Sequence, residues 1–217
     1  METYVVRVWL PDRPGALGQV ASRIGALRGD VIGIDILERG GGRAVDELVV
    51  ALPDGSVIDL LVTEITQVDG VAVEDVRRVA SDRPESGLIA LQVAAVLAEA
   101  APPDRLATLC QRLLDLLDGD WVVALDDASE RALVTVGSPP ECGWIAAFAQ
   151  GSRHLGAAEH AAAAADDLAW SHLAVGHMTV AVGRSGRPFH TRERQQMVLL
   201  CRVADALLAS AVVGPPA

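Results

Sequence analysis

The sequence predicts an α+β protein with two domains, in which a βαββαβ unit precedes a second mixed unit. Runs with period-2 apolar alternation alternate with segments whose apolar residues repeat at helical spacing. Gly, Pro and Asp cluster between these runs, as turns require. A polar segment at 81–87, which contains Pro and Gly, is the predicted linker between domains at 1–80 and 88–217.

The first domain is predicted to hold four strands and two helices. Their order along the chain is strand Val5–Leu10, helix Gly15–Arg28, strand Val31–Leu37, strand Ala44–Leu52, helix Val57–Val68 with Ser56 as N-cap, and strand Val71–Val79. Two βα units joined by a Gly40–Gly42 hairpin give a four-stranded antiparallel sheet with both helices on one face.

The second domain is predicted to place helices around a smaller sheet. The helices are Leu88–Ala100, Asp104–Leu117, Gly143–Gln150 and Thr191–Val212, and the strands are Asp120–Asp126, Ala132–Gly137, Leu168–Leu173 and Met178–Gly183. The alanine-rich segment His154–Asp166 is expected to be helical or irregular. Thr191 is the expected N-cap of the last helix.

Composition excludes several classes of function. The net charge of −11 disfavours nucleic acid and anionic membranes as partners. The chain contains no Lys and no Asn, so it has neither a Walker A phosphate loop nor a Schiff-base lysine. We expect a cytoplasmic protein, because the three cysteines have no zinc-like spacing, no signal peptide is evident, and Leu88–Ala101 is too short to span a bilayer.

The turn Asp12-Arg13-Pro14-Gly15 is the most informative motif. It follows a buried strand and precedes a helix, so it leaves backbone N–H groups at a helix N-terminus where a small anion can bind. No catalytic group lies nearby in the sequence. The turn therefore indicates binding rather than chemistry, although a solvated turn that packs on a partner chain is an equal alternative.

The run Val5–Leu17, followed by Val20, Ile24, Gly29 and Ile32-Gly33, resembles an ACT domain. The resemblance implies a ferredoxin-like βαββαβ fold and an amino acid bound against the turn, at an interface between two such domains. It implies that the ligand-binding residues are Asp12, Arg13, Pro14, Gly15, Ala16, Leu17, Val31 and Ile32. One departure is that Val31 stands where many amino-acid-binding ACT domains carry Asn.

The second half resembles a GAF domain, through Met178–Arg184, Arg187-Pro-Phe-His190 and Thr191–Arg194. The resemblance implies a small-molecule sensor or a dimerising module. The motif of cyclic-nucleotide GAF domains needs Asn and Lys, which this chain lacks. We interpret Arg192-Glu193-Arg194 as a solvated first turn of the last helix.

Other candidate groups in the second half favour structural roles. Five histidines (His154, His160, His172, His177 and His190) match no ligand spacing, so we expect no metal or haem. Cys142 could be a redox thiol, but a small half-buried thiol is the commoner role. Trp121, Trp144 and Trp170 could line a pocket or pack in the core.

Together these observations predict a non-catalytic regulatory protein that senses a small molecule, with an amino acid as the expected class and no cofactor. It would bind the ligand at an ACT homodimer or higher homo-oligomer and act on a regulated protein partner. The alternative is a dimerising interaction module that regulates an enzyme or transcription factor without a ligand. An enzyme is a third reading, for which the sequence offers no catalytic constellation.

Overall fold

The computed structural model describes residues 1–152 and 167–212, which form two compact units, Met1–Glu85 and Ser86–Ala217. The second unit includes a helix that begins at Ser86, inside the segment that the sequence marks as a linker. The predicted segment His154–Asp166 lies outside the described residues.

The first unit has the predicted βαββαβ order. Its elements are β1 (Glu2–Pro11), α1 (Ala16–Ala26), β2 (Asp30–Gly40), β3 (Arg43–Leu52), α2 (Ile58–Thr66) and β4 (Ala72–Val79). All strand pairs are antiparallel, and the sheet order is β2-β3-β1-β4. β1, the most apolar strand, therefore lies inside the sheet, and β2 and β4 form its edges.

One face of this sheet packs against α1 and α2. The core on that face takes alternate residues from β1 and β3 and the inward positions of the helices: Tyr4, Val6, Val8, Leu10, Leu48, Val50, Leu52, Val20, Ile24, Leu61 and Ile65. The helical spacing of Val20 and Ile24 and the period-2 spacing of Leu48 and Val50 produce this layer directly.

One capping prediction in this unit is wrong. Ser56 does not cap α2 with its hydroxyl; instead its amide donates to Asp54 Oδ1 at 2.6 Å and opens a short 3-10 turn, Gly55–Val57. Asp54 caps this 3-10 turn because an aspartate two residues before an amide can close an Asx turn, and α2 itself begins after Val57 without a side-chain cap.

The second unit has helices on both faces of a four-stranded antiparallel sheet of order β6-β5-β8-β7. Its elements are α3 (Ser86–Glu99), α4 (Arg105–Leu117), β5 (Trp121–Asp126), β6 (Ala132–Gly137), α5 (Cys142–Ser152), β7 (Leu168–Leu173), β8 (Met178–Gly183) and α6 (Thr191–Val212). Helices α3, α4 and α6 pack on one face and α5 on the other. The fold of the whole chain is thus α+β, as predicted.

Candidate functional site

The turn between β1 and α1 is held by backbone hydrogen bonds. The Asp12 amide donates to the Gly42 carbonyl at 2.9 Å, which fastens the turn to the β2–β3 hairpin. Gly15 precedes the helix with a φ of 87°, in the left-handed region that glycine tolerates best. Nothing lies within 4 Å of where a Gly15 β-carbon would be, so glycine is needed there for its backbone conformation and not for space.

The first turn of α1 carries free donors. No side chain caps the helix, and its first turn has no acidic residue. The amides of Leu17 and Gly18 have no acceptor among the described residues, while that of Ala16 donates to the Arg13 carbonyl at 3.3 Å. Asp12, Arg13, Pro14 and Gly15 are exposed. Open amides at the positive end of a helix dipole favour an anion at this place.

Val31 and Ile32 do not meet this turn within one chain. Val31 is level with Val50 and, through it, with Tyr4 near the start of β1. The turn follows Pro11, seven residues further along β1, so at about 3.3 Å per residue the two places are about 23 Å apart along the sheet. The eight predicted residues therefore form two separate groups in a single copy.

The outer edge of β2 is apolar and unpaired among the described residues. Ile32, Ile34 and Ile36 are 52%, 49% and 41% exposed. Ile34 pairs with Leu48, and Ile36 pairs with Asp46, so both lie on the helix-bearing face. A long edge strand with exposed isoleucines is a surface that natural proteins normally cover.

Sequence reasoning missed Asp46. This residue lies on β3 between Val8 of β1 and Ile36 of β2, with its side chain on the helix-bearing face and only 4% exposed. Its Oδ1 has no hydrogen-bond donor among the described residues. Burial raises the pKa of this carboxyl, the charge of Arg39 opposes that rise, and Asp12 adds to it. The signal in the sequence was an acidic residue at an inward position of an apolar strand.

Arg39 and Asp12 form an exposed ion pair beside the turn, with Arg39 Nη2 at 3.1 Å from Asp12 Oδ1. The guanidinium is thus held by Asp12, and no ion pair joins it to Asp46 among the described contacts. The three side chains carry a net charge of −1 when both carboxyls are ionised.

The opposite face of the same sheet holds a compensated charge cluster. Arg7, 1% exposed, donates to Glu47 Oε2 at 2.7 Å, and Arg77 reaches the same oxygen at 3.2 Å. Arg7 also lies 3.8 Å from Glu74, and Arg77 lies 2.8 Å from Asp75. Burial raises the pKa of Glu47, but the nearby arginines, Arg77 first, outweigh it and lower that pKa.

A buried ion pair anchors the last helix of the second unit. Arg184 is 3% exposed, and its guanidinium contacts both Glu193 oxygens, at 2.8 and 2.9 Å, and the Leu117 carbonyl at 2.7 Å. Glu193 also accepts from the His190 amide at 2.9 Å. The predicted solvated turn is therefore wrong at Glu193, and the N-cap of α6 is His190 rather than Thr191.

The remaining candidates in the second unit do not assemble into a site within the described ranges. Cys110 and Cys201 are buried, and burial raises the pKa of each thiol to about 12, which makes both unreactive. Cys142 is half-buried. Trp170 and Phe148 meet edge-to-face at 5.2 Å beside α5.

His172 Nδ1 lies 3.1 Å from Asp127 Oδ2, and His190 is buried. His154 and His160 lie outside the described residues. In residues 1–152 and 167–212, no three metal-binding side chains cluster. None of the helices described there has the length and apolar character to cross a bilayer.

The order β1-α1-β2-β3-α2-β4, with an open helix N-terminus after β1, agrees with a known family model. Residues 4–70 match the ACT domain. No curated protein matches the chain. A solved structure described as an unknown protein from Galdieria sulphuraria is similar at 12% identity and a TM-score of 0.34, over 96% of this chain and 94% of that one.

The ACT match covers both predicted groups of ligand-binding residues, the turn and the start of β2. An ACT domain indicates a regulatory, ligand-binding role for the first unit. The GAF resemblance of the second unit stays a prediction.

Proposed function

We propose that this protein is a non-catalytic regulator that senses an amino acid at an interface between the ACT domains of two copies. The observation that carries the proposal is the uncapped N-terminus of α1, positioned by Gly15 within a matched ACT domain. Its open amides suit the carboxylate that all amino acids share.

The separation of the two groups of predicted site residues supports a dimer. Because β2 runs parallel to β1, its end lies level with the turn and its start lies far from it. If two copies paired antiparallel along β2, the start of one strand would lie beside the end of the other. Val31 and Ile32 of a second copy would then approach the turn of the first.

The isoleucine row supports the same pairing. With the two-fold axis near Ile34, Ile32 of one copy would lie opposite Ile36 of the other, and both rows would be buried. This covers the exposed edge and removes apolar surface from water at roughly 25 cal/mol per Å².

Disulfide trapping tests the interface. Ile34→Cys should form a dimer under mild oxidation, because residues that face each other across antiparallel strands lie within disulfide range. The half-buried Cys142 is replaced by Ser in the background of every sample. Leu91→Cys, at an apolar position on α3 that is more exposed than Ile34, at 69% against 49%, is the control and should stay largely monomeric.

Thermal-shift measurements with each of the twenty protein amino acids test the ligand. One of them at 100 times its dissociation constant should stabilise the protein by about 2.7 kcal/mol. Gly15→Ala should reduce this gain, because alanine disfavours the left-handed φ and shifts the amides of the turn. Gly25→Ala, at an exposed position near the C-terminal end of α1, should retain it. The amino-acid proposal is wrong if no amino acid shifts the wild type.

A second candidate function is an interaction module that binds no ligand. Leu88 and Leu91 on α3, and Leu199 and Val203 on α6, are exposed apolar residues of the second unit that favour it. Efficient trapping through Leu91→Cys without trapping through Ile34→Cys, together with no amino-acid shift, would support this candidate over the first.

A further inference from the structure

We infer that Asp46 binds the ammonium group of the sensed metabolite, so that the ligand is a zwitterion held at both ends. The inference rests on the proposed function and adds to it the residue that binds the ligand's ammonium group. The amides of the α1 turn would take the carboxylate, and the Asp46 carboxylate would take the cation.

The position of Asp46 suits this role. It lies on the helix-bearing face of the sheet, where it is paired with Ile36 of β2 and Val8 of β1. Val8 is three residues before the end of β1. At about 3.3 Å per residue, Asp46 lies about 10 Å along the sheet from the end of β1, where the turn begins. Antiparallel pairing of two copies along β2 would bring Ile32 of the second copy to the same level.

The unmet hydrogen bond of Asp46 is the independent sign of a missing partner. More than nine-tenths of the residue is buried, and its Oδ1 has no donor among the described residues. Buried polar atoms in native proteins are almost always hydrogen-bonded, because an unpaired one costs free energy. Arg39 does not supply the partner, since its guanidinium is held by Asp12 at 3.1 Å.

The charge at this place also favours an ammonium group. With Arg39 paired to Asp12, an ionised Asp46 has no cationic side chain within ion-pair distance among the described residues. A primary ammonium carries one positive charge and three donors, which matches an unpaired carboxylate oxygen.

Isothermal titration of the full chain with chemically matched probes tests the inference. The first amino acid that gives a thermal shift is compared with its 2-hydroxy acid and with its decarboxylated amine; for L-alanine these are L-lactate and ethylamine. Wild type should bind the 2-hydroxy acid about 10- to 100-fold more weakly, because a charge-assisted hydrogen bond is lost.

The isosteric variant Asp46→Asn should lose most of this preference, and Asp46→Leu should lose all of it. Asp69→Asn makes the same charge change at an exposed position beyond α2 and should behave as wild type. Circular dichroism confirms that each variant is folded before titration.

The outcomes separate the two proposals. If the amino acid and its 2-hydroxy acid bind wild type equally, or if Asp46→Asn keeps the wild-type preference, Asp46 is not the ammonium site and the sensing proposal still stands. If no amino acid binds wild type, both proposals fail. Tighter binding of the amine than of the amino acid would overturn the role assigned to the α1 amides and leave that of Asp46 in place.

Discussion

Asp46 and Glu47 are neighbours on β3, yet they lie on opposite faces of the sheet and differ in their hydrogen-bond partners and in the direction of their pKa shifts. Glu47, on the face opposite the helices, accepts from Arg7 and Arg77, and these charges lower its pKa against the effect of burial. Asp46, on the helix-bearing face, has an oxygen with no donor, and burial raises its pKa. One residue along a strand reverses the side chain's direction and so its environment.

The contrast distinguishes a structural carboxylate from a candidate functional one. A buried acid whose oxygens are all hydrogen-bonded has a structural role, because it completes the network of its partners. A buried acid left without a partner lowers the stability of the free protein, and such a cost is retained in native proteins mainly where a ligand repays it. Identical neutralising substitutions at the two positions should therefore have opposite signs.

The largest expected effect comes from Glu47→Gln. The substitution leaves Arg7, which is 1% exposed, without its principal carboxylate, and it removes the acceptor that Arg77 shares. Breaking a buried ion pair in this way should lower the free energy of unfolding by about 3 kcal/mol. Urea denaturation measures it, and a loss below about 1 kcal/mol would show that Arg7 is satisfied without Glu47.

A smaller effect of opposite sign is expected from Asp46→Asn. Removing an unpaired buried charge should raise the free energy of unfolding of the unliganded protein by about 1 kcal/mol, since less desolvation is needed on folding. The same urea series measures it, with Asp69→Asn as the surface control. A clear loss of stability in Asp46→Asn would mean that the carboxylate already has a partner, and the contrast between the faces would disappear.

The smallest effect is the pH dependence of these differences. The folded pKa of Glu47 is lowered, so its stabilisation is present above its ordinary value of 4.5 and is lost as pH falls. The folded pKa of Asp46 is raised, so stability declines as pH rises from its ordinary value of 3.8 through the folded value.

The amount by which the free energy of unfolding of Asp46→Asn exceeds that of wild type should therefore grow as pH rises from near 3.8 through the folded pKa. Above that pKa it should stay constant. The advantage of wild type over Glu47→Gln should instead shrink as pH falls below 4.5. Unfolding curves collected from pH 3 to pH 7 measure both trends. Parallel pH profiles for the two variants would contradict the opposite pKa shifts.

The fold was predictable where local pattern and burial agree. Period-2 alternation in β2 and helical spacing in α1 each select one face, the apolar run of β1 indicates a buried strand, and the hairpin glycines predict that β2 and β3 are neighbours. Helix ends were less predictable. Ser56 and Thr191 were each expected to be N-caps, but Val57 and His190 precede α2 and α6. The carboxylates of Asp54 and Glu193 accept from the nearby amides of Ser56 and His190, because several neighbouring polar residues compete for the same amides.

The candidate site was predictable only in part. The geometry of the turn at Asp12–Gly15 depends mainly on its own residues, so it could be predicted from the local sequence. Val31 and Ile32 were grouped with it through a family resemblance, and within one chain they lie at the other end of the sheet. The sequence shows Asp46 as an acidic residue within an apolar strand, but the neighbours it meets depend on which strands flank β3 and in what register.

The buried guanidinium of Arg184 has a consequence for biosynthesis. It hydrogen-bonds a carbonyl at the end of α4, 67 positions earlier, and its own counter-ion lies nine positions later. During translation the end of α4 would leave the ribosome long before the group that satisfies it. We expect the buried contacts of Arg184 to be completed only after α6 has emerged.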